Sequence, residues 1–492
     1  MGESRRMLAC DLGAESGRAV VGAFDGESLS IEEVHRFPNR PVMVGETLTW
    51  DVLRIYANVL DSIQAAGTIA SAGIDTWGVD FGLLDSAGHL LGNPVHYRDR
   101  RTEGMQQLAF TRVPREVIYR KTGIQHMPIN TLYQLLALAN AHDPQLAVAD
   151  RLLTMPALLA YWLCGVKADE FTDVSTTQCY DPVAKSWALD ILRPLGIPER
   201  IFGEVVLPGT ELGRLSKSIV KGDAKLIAPG THDTASAVAA VPFVPNVSSA
   251  YISSGTWSLV GVELDRPLIN DATLEHNLTN EGGVGGTFRL LKNVMGLWLL
   301  QECMRAWTRR NTDLTIERLL AEAEDASPFR AIVDADDERL LRPGDMPATI
   351  ASLAAENGME LSLEPAGVVR CILESLALKY RQTIEQLERV TGRAVQSIHV
   401  VGGGARNRLL CQMTADACGR PVLAGPFEAT AIGNLAVQAT SLGLVASVAE
   451  ARELVRRSTQ IETFEPSAAD DWDAVSEQMA RARVAAAHGR PT

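Results

Sequence analysis

The chain has 492 residues, more than one hydrophobic core usually serves, so two domains are expected. Its 46% hydrophobic and 22% charged residues are those of a globular protein, and a net charge of −14 repels nucleic-acid phosphates; the pairs Arg5-Arg6, Arg100-Arg101 and Arg309-Arg310 are too sparse for a basic stripe. The 7 cysteines, an odd number with no C-x-x-C, read as reduced thiols of a cytoplasmic protein, and no membrane-length apolar run or signal-peptide core is found, since Asp11 cuts short the apolar stretch that starts at Met7.

Apolar spacing predicts strands near 7–11, 18–24, 29–37 and 71–75, with a helix over 53–65 between the last two, an α/β pattern. The first two strands enclose Asp11-Leu12-Gly13-Ala14-Glu15-Ser16-Gly17-Arg18. This reads as a hairpin whose turn exposes N–H groups and hydroxyls able to hold phosphate oxygens. Asp11 at the strand end suits Mg²⁺ held through water, because a bare carboxylate there would repel phosphates; an Asp that merely caps the turn is the commoner local pattern. Arg18 carries a charge suited to phosphate, or is an exposed strand arginine.

The segment Gly73-Ile74-Asp75-Thr76-Trp77-Gly78-Val79-Asp80-Phe81-Gly82 ends a strand with an aromatic and several polar groups. Trp77 could meet a sugar ring, although a lone Trp is more often core. Tyr97-Arg98-Asp99-Arg100-Arg101 is either a solvated loop or a source of contacts to a polyol. Helices are predicted over 132–141 and 156–163, and an irregular element followed by a short helix over 183–200.

In Gly230-Thr231-His232-Asp233-Thr234-Ala235, a polar loop opens into a small-residue helix. Asp233 is then either a helix cap or a general base for a hydroxyl, and the local pattern leaves both open. The prolines of the segment 241–246 make it the best domain boundary, placing an N-terminal domain at 1–244 and a C-terminal domain at 245–465. A second hairpin follows in Ile252-Ser253-Ser254-Gly255-Thr256-Trp257-Ser258-Leu259, with the same shape as the first. Apolar residues at helical spacing over 368–390 predict a long core helix that stops at Gly392. A strand over 397–401, the run Gly402-Gly403-Gly404 and a helix from about 407 come next, so the glycines occupy a turn where backbone can approach a flat ligand. Cys411 and Cys418 share one helical face and read as buried thiols. The segment 466–492 reads as a surface helix and tail.

No G-x-x-x-x-G-K-[ST], G-x-G-x-x-G or G-x-S-x-G occurs, which removes the main support for P-loop kinase, dehydrogenase and serine hydrolase readings. Two phosphate hairpins in one chain suggest the layout of actin-like ATP-using folds. Together with Thr279-Asn280-Glu281-Gly282-Gly283 and Leu291-Lys292-Asn293-Val294-Met295-Gly296-Leu297-Trp298-Leu299-Leu300-Gln301, the quoted segments resemble those of the FGGY carbohydrate kinases, in the same order over about residues 7–465.

The resemblance implies an α/β protein of two actin-like (ribonuclease H-like, ASKHA) domains flanking a central cleft, the first binding sugar and the second the nucleotide. It implies phosphoryl transfer from ATP, with Mg²⁺, to the 1-hydroxyl of L-rhamnulose. By the same resemblance Ala14, Glu15, Ser16, Gly17, Arg18, Thr256, Gln301 and Gly403 fall at ATP-binding positions, and Gly78, His232, Asp233, Thr234 and Asn293 at sugar-binding positions. Asp233 becomes the proton acceptor, and Glu15, which departs from the small residue usual in this turn, is expected to point to solvent. The rivals are a kinase for another ketose, such as L-fuculose or xylulose, and a catalytically silent sugar sensor on the same fold. Neither a nucleic-acid nor a membrane partner is expected.

Overall fold

The run Met7-Leu8-Ala9-Cys10 is apolar without alternation, as in a strand covered on both faces. In the computed structural model all four residues are buried in the strand Arg5–Leu12. The structure describes residues 5–220, 222–244, 247–309, 314–467 and 472–477. The chain divides into two compact units, the first made of Met1–Phe243, Val262–Leu291 and Glu428–Gln460, the second of Val244–Gly261, Lys292–Phe427 and Ile461–Thr492.

In the first unit six strands lie in the order Glu211–Arg214, Lys225–Ile227, Ser71–Thr76, Arg5–Leu12, Ser16–Phe24 and Leu29–Pro38. Strands Lys225–Ile227 and Arg5–Leu12 both run parallel to Ser71–Thr76, so the C-terminal ends of all three lie at one edge of the sheet. Ligands of open α/β sheets gather at that edge. The loops leaving it carry Asp11 to Glu15, Trp77 to Val79, and Thr231 to Asp233.

The helix Val52–Ala66 starts where the Asp51 side chain accepts from the Arg54 N–H, and it buries Val52, Ile55, Val59 and Ile63. The helix Ala429–Ser441 sets Ala431, Leu435, Ala436 and Ala439 against Met7, Ala9 and Val20. This packing is why a late stretch of sequence belongs to the first unit. A further core gathers Leu132, Leu135 and Leu136 of the helix Thr131–Asn140 with Leu152, Ile191 and Leu195.

The predicted strands and the helices over 53–65, 132–141 and 156–163 match observed elements to within two residues. The irregular 183–200 stretch contributes the strand Ser186–Trp187, paired with Tyr180–Asp181, and the short helix Leu189–Leu192.

The second unit has at its centre the strands Ser249–Ser254, Ser397–Val401, Val422–Ala424 and Glu462–Phe464, side by side in that order. The strand starting at Trp257 pairs antiparallel with Ser249–Ser254, with Ser254 opposite Ser258, which makes the second hairpin. The long helix Pro365–Thr391 packs beside the helix Arg408–Cys418, whose N-terminus is capped by the Asn407 side chain on the Leu410 N–H at 3.0 Å. Tyr380 is fully buried and its hydroxyl meets Ser258 Oγ at 2.6 Å. All 7 cysteines are free thiols; Cys411 is buried as expected, whereas Cys418 is only partly so.

The sequence boundary at 241–246 lies partly outside the described residues, as does most of 466–492. Residues 472–477 are helical, and Trp472 is buried edge-on to Phe329, with ring centroids 4.8 Å apart. Among the described residues no helix is long and apolar enough to cross a membrane.

Candidate active site

The first hairpin is closed by charge. Arg18 stands opposite Asp11 in the strand register and donates from Nε and Nη2 to Asp11 Oδ2 at 2.8 and 2.6 Å. Its other Nη pairs with Glu428, the residue just before the helix Ala429–Ser441. Burial alone would lower the Arg18 pKa, but Asp11 and Glu428 outweigh it and hold the guanidinium firmly charged. The turn between the strands is fastened by Asn39, whose N–H donates to Glu15 O at 3.0 Å and whose side-chain amide donates to Gly13 O at 2.9 Å. Glu15, expected to face solvent, is half-buried and has an interaction partner. Ala14 and Ser16 flank it, half-buried and exposed, and Gly17 is buried.

Asp75 lies beside Asp11 in the parallel register and is fully buried. Its Oδ2 accepts from Asn434 Nδ2 at 2.5 Å, while Oδ1 has no hydrogen-bond partner among the described residues. Burial, then the neighbouring Asp11 charge and, further down, that of Asp233, push its pKa well above the usual carboxylate range, while the Asn434 amide pulls it back. Three carboxyl groups thus act on one another at one sheet edge.

Gly78 is required by close approach. A Cβ at this position would stand 2.8 Å from Thr176 Oγ1. The next residue, Val79, is β-branched yet left-handed at φ 70°, a strained conformation that needs external support. Thr176 Oγ1 accepts from the Val79 N–H at 3.1 Å, and the Val79 carbonyl accepts from Thr131 Oγ1 at 2.6 Å and Gln134 Nε2 at 3.2 Å. Backbone strain pinned by three bonds beside a glycine is the signature of a built site, and the sequence gives no sign of it.

Glu170 fixes the loop that leads to Asp233. It is buried, and its carboxylate accepts from the N–H and Oγ1 of Thr172 (2.8 and 2.5 Å) and of Thr231 (2.8 and 2.7 Å). The His232 N–H donates to Thr172 Oγ1 at 3.1 Å, and Thr76 N–H donates to Thr231 O at 2.8 Å, tying the loop to the strand that precedes Gly78. His232 is the N-cap residue of the helix Asp233–Ala239 and makes no side-chain cap bond; Asp233 is the first helical residue. Asp233 therefore does not serve as the cap that its local sequence allowed. Its Oδ1 accepts from Thr234 Oγ1 at 3.0 Å and lies 3.5 Å from His232 Nε2. Burial raises its pKa, His232 opposes that, and Asp11 adds to it. A partly exposed carboxylate with raised basicity, fixed on a tied loop, can accept a proton from a hydroxyl.

Trp77 is core. It is 6% exposed, its ring lies 4.1 Å from that of Trp50, and both indole N–H groups donate to Asp80 Oδ2, at 3.0 Å from Trp77 and 2.7 Å from Trp50. The Tyr97 to Arg101 run is likewise tied into structure, Asp99 accepting from the Leu48 N–H at 2.7 Å and Arg101 donating to Gln134 Oε1 at 2.6 Å.

In the second unit the turn Gly255-Thr256 is held by backbone alone. The Leu297 N–H donates to Gly255 O at 2.9 Å and the Trp298 N–H to Thr256 O at 3.1 Å, which seats the turn on the start of the helix Trp298–Thr308. Gln301, in the first turn of that helix, keeps its Oε1 buried with no hydrogen-bond partner among the described residues. Gly402 takes φ 83°, and a Cβ on Gly404 would overlap the Ser254 side chain, so the glycine turn lies directly on the end of the strand Ser249–Ser254. Gly403 is exposed, with nothing within 4 Å of where a Cβ would stand. Asn293, half-exposed on the strand Phe288–Met295, belongs to this unit.

The first unit thus brings together Asp11, Gly78, His232, Asp233 and Thr234 at one sheet edge with the turn from Ala14 to Arg18, and the second brings Thr256 and Gln301 onto one helix start. Sequence reading missed Asp75, Glu170, Val79 and the Glu281–Arg289 pair. Of these Asp75, Val79 and Glu281 lay in quoted motifs, and their partners, among them Asn434 for Asp75, Thr176 for Val79 and His232 for Glu281, are distant in sequence.

The chain matches the N-terminal domain model of the FGGY family of carbohydrate kinases over residues 6–239 and the C-terminal domain model over 250–442. It is 43% identical over 478 residues to a rhamnulokinase of Bacteroides thetaiotaomicron, covering 96% of this chain and 98% of that protein. A rhamnulokinase of Oceanobacillus iheyensis is 39% identical over 464 residues, with 93% and 97% covered. Among solved structures, a ligand-bound xylulose kinase of Lactobacillus acidophilus superposes with a TM-score of 0.80 at 16% identity over 99% of both chains. A Plasmodium falciparum glycerol kinase with ADP gives 0.74 at 14% identity, over 100% of this chain and 99% of that one. The two-domain sugar kinase fold is shared with both structures, and on the strength of both domain models and the full-length relatives this chain belongs to the FGGY family of carbohydrate kinases, ATP-dependent enzymes that phosphorylate sugars.

Proposed function

We propose that the protein transfers the γ-phosphoryl group of ATP to the 1-hydroxyl of L-rhamnulose, giving L-rhamnulose 1-phosphate in the breakdown of L-rhamnose. The observation that carries this reading is 43% identity to a rhamnulokinase along 96% of the chain. Likeness to xylulose and glycerol kinases at 16% and 14% identity speaks for the fold and not for their substrates.

In this reading Asp233 accepts the proton of the attacking hydroxyl through the oxygen not occupied by Thr234, while Gly78, His232, Thr234 and Asn293 bind the sugar. Ala14 to Arg18, Thr256, Gln301 and Gly403 bind ATP, the orphaned Gln301 Oε1 suiting a donor on the nucleotide. Among the described residues no group of three or more His, Cys, Asp or Glu side chains is placed to hold a metal ion directly. Contact through water by Asp11 fits better, since Arg18 occupies only Oδ2 of that carboxylate in the fork. Mg²⁺ there would neutralise phosphate charge during transfer. The residues themselves position and polarise, which is most of what phosphoryl transfer asks of a protein.

An ATP-coupled assay over L-rhamnulose, L-fuculose, D-xylulose and glycerol tests the assignment. L-rhamnulose should give the highest kcat/KM, because a site that hydrogen-bonds particular hydroxyls leaves its own polar groups unpaired with the wrong stereoisomer. A higher kcat/KM for another acceptor would reassign the substrate, and no turnover on any would favour the silent sensor.

A further inference from the structure

Behind His232 lies a buried ion pair that neither phosphate binding nor proton removal uses. Arg289, on the strand Phe288–Met295, is completely buried, and Glu281, on the strand Thr279–Gly282, is 3% exposed. The two strands pair antiparallel with Glu281 opposite Arg289. Arg289 Nη2 lies 3.1 Å from Glu281 Oε2 and 3.1 Å from His232 Nδ1, while Nε donates to the Gly282 carbonyl at 2.8 Å. Glu281 Oε2 is itself 3.2 Å from His232 Nδ1. On the other side of the ring, His232 Nε2 faces Asp233 Oδ1 at 3.5 Å.

A guanidinium can only donate. The contact between Arg289 Nη2 and His232 Nδ1 is therefore a hydrogen bond only if Nδ1 carries a lone pair. A proton on Nδ1 would set two donors head to head at 3.1 Å in a buried site. Nδ1 thus lies between the Arg289 donor at 3.1 Å and the Glu281 acceptor at 3.2 Å, and where it accepts from Arg289 the neutral imidazole carries its proton on Nε2, the nitrogen that faces Asp233. Glu281 balances the charge of Arg289 and fixes the guanidinium in place. Oδ1 of Asp233 accepts from Thr234 Oγ1 at 3.0 Å and has His232 Nε2 3.5 Å away, so Oδ2 is the oxygen left to accept a proton.

We propose that the buried Arg289–Glu281 pair is a positioning device, in which Arg289 locks His232 in the Nε2–H tautomer and His232, with Thr234, ties down Oδ1 of Asp233 so that Oδ2 is turned to the acceptor hydroxyl. This rests on reading Asp233 as the base. His232 plays for Asp233 the part that an orienting group plays for a catalytic histidine elsewhere, with the order of the two residues reversed.

The test combines a tautomer measurement with kinetics, on the full chain. Long-range ¹H–¹⁵N correlation spectra of histidine-labelled protein, with the His232 signals assigned by their loss in His232→Gln, report which ring nitrogen is protonated without substrate. The wild type should show the Nε2–H form. In Arg289→Met the only group left at Nδ1 is an acceptor, Glu281, so the proton should move to Nδ1. In the same variant kcat should fall on the order of 10²-fold with KM for ATP unchanged, because a lone pair then faces the carboxylate. Arg289→Met takes away the cation opposite the buried Glu281, so the double variant Arg289→Met/Glu281→Met, which removes both charges, separates positioning from folding. Loss of kcat that persists in the folded double variant supports positioning. Wild-type kcat in it, or an Nδ1–H form in the wild type, overturns the proposal. If the wild type phosphorylates no ketose, the functional reading fails instead, and the spectra still decide the tautomer.

Discussion

The two hairpin turns share one sequence shape and are held by opposite means. At the first turn Arg18 is forked to Asp11, paired with Glu428, and the backbone is fastened by the Asn39 amide. At the second, Gly255 and Thr256 are held by the N–H groups of Leu297 and Trp298, and the glycine turn at 402–404 rests on Ser254 by shape. A turn set among carboxylates needs a cation built into the protein to stay folded, whereas a turn among neutral groups needs only room and backbone donors. Equal motifs in the sequence therefore conceal unequal electrostatics.

If the first unit carries the charged chemistry, its loss should strike turnover more than binding. Asp233→Asn keeps the shape and removes the basicity; kcat should drop roughly 10²–10⁴-fold with KM for ATP unchanged, measured by steady-state kinetics. Wild-type turnover in this variant would end the distinction between the two units.

The next largest effect concerns the fold of the charged turn. Arg18→Gln leaves Asp11 and Glu428 without their shared cation, and since these side chains are 7% and 23% exposed the pair is only weakly screened. Breaking such a pair costs about 3 kcal/mol, which for a unit of this size is roughly 3–5 °C in thermal midpoint by calorimetry. A midpoint within a degree of wild type would mean that the guanidinium is held for the nucleotide alone.

The smallest effect sharpens the other side. Gly404→Ala drives a Cβ into Ser254, an overpacking worth about 1–3 kcal/mol. It should raise KM for ATP severalfold and leave kcat nearly intact in the same kinetic assay. A fall in kcat to match the Asp233 variant would show that the second turn also takes part in the chemistry.

Elements with strong periodicity were legible in the sequence. The strand Arg5–Leu12 and the helix Pro365–Thr391 owe their form to local apolar spacing, and both are found where that spacing puts them. Membership of residues 428–460 in the first unit was not legible, because Ala431, Leu435 and Ala439 find their partners more than 400 residues away in Met7 and Ala9. The same limit applies at the site. Asp11, Gly78 and Asp233 stand out in short motifs, but Val79 is held left-handed by Thr131, Gln134 and Thr176, all far along the chain. The fastening of the first turn was not legible either, because Asn39, whose amides hold it, lies beyond the hairpin altogether.

The fit of Gly78 against Thr176 bears on any attempt to retune which acceptors the enzyme takes. Position 78 is the obvious one to randomise, since it borders the loop proposed to bind the sugar, yet a Cβ there would already stand 2.8 Å from the Thr176 hydroxyl. A library at 78 alone would return damaged folds and teach nothing about selectivity. Variation would have to begin at Thr176, but its hydroxyl, the atom a Cβ at 78 would meet at 2.8 Å, also holds the Val79 N–H, so room at 78 is made only by giving up that bond.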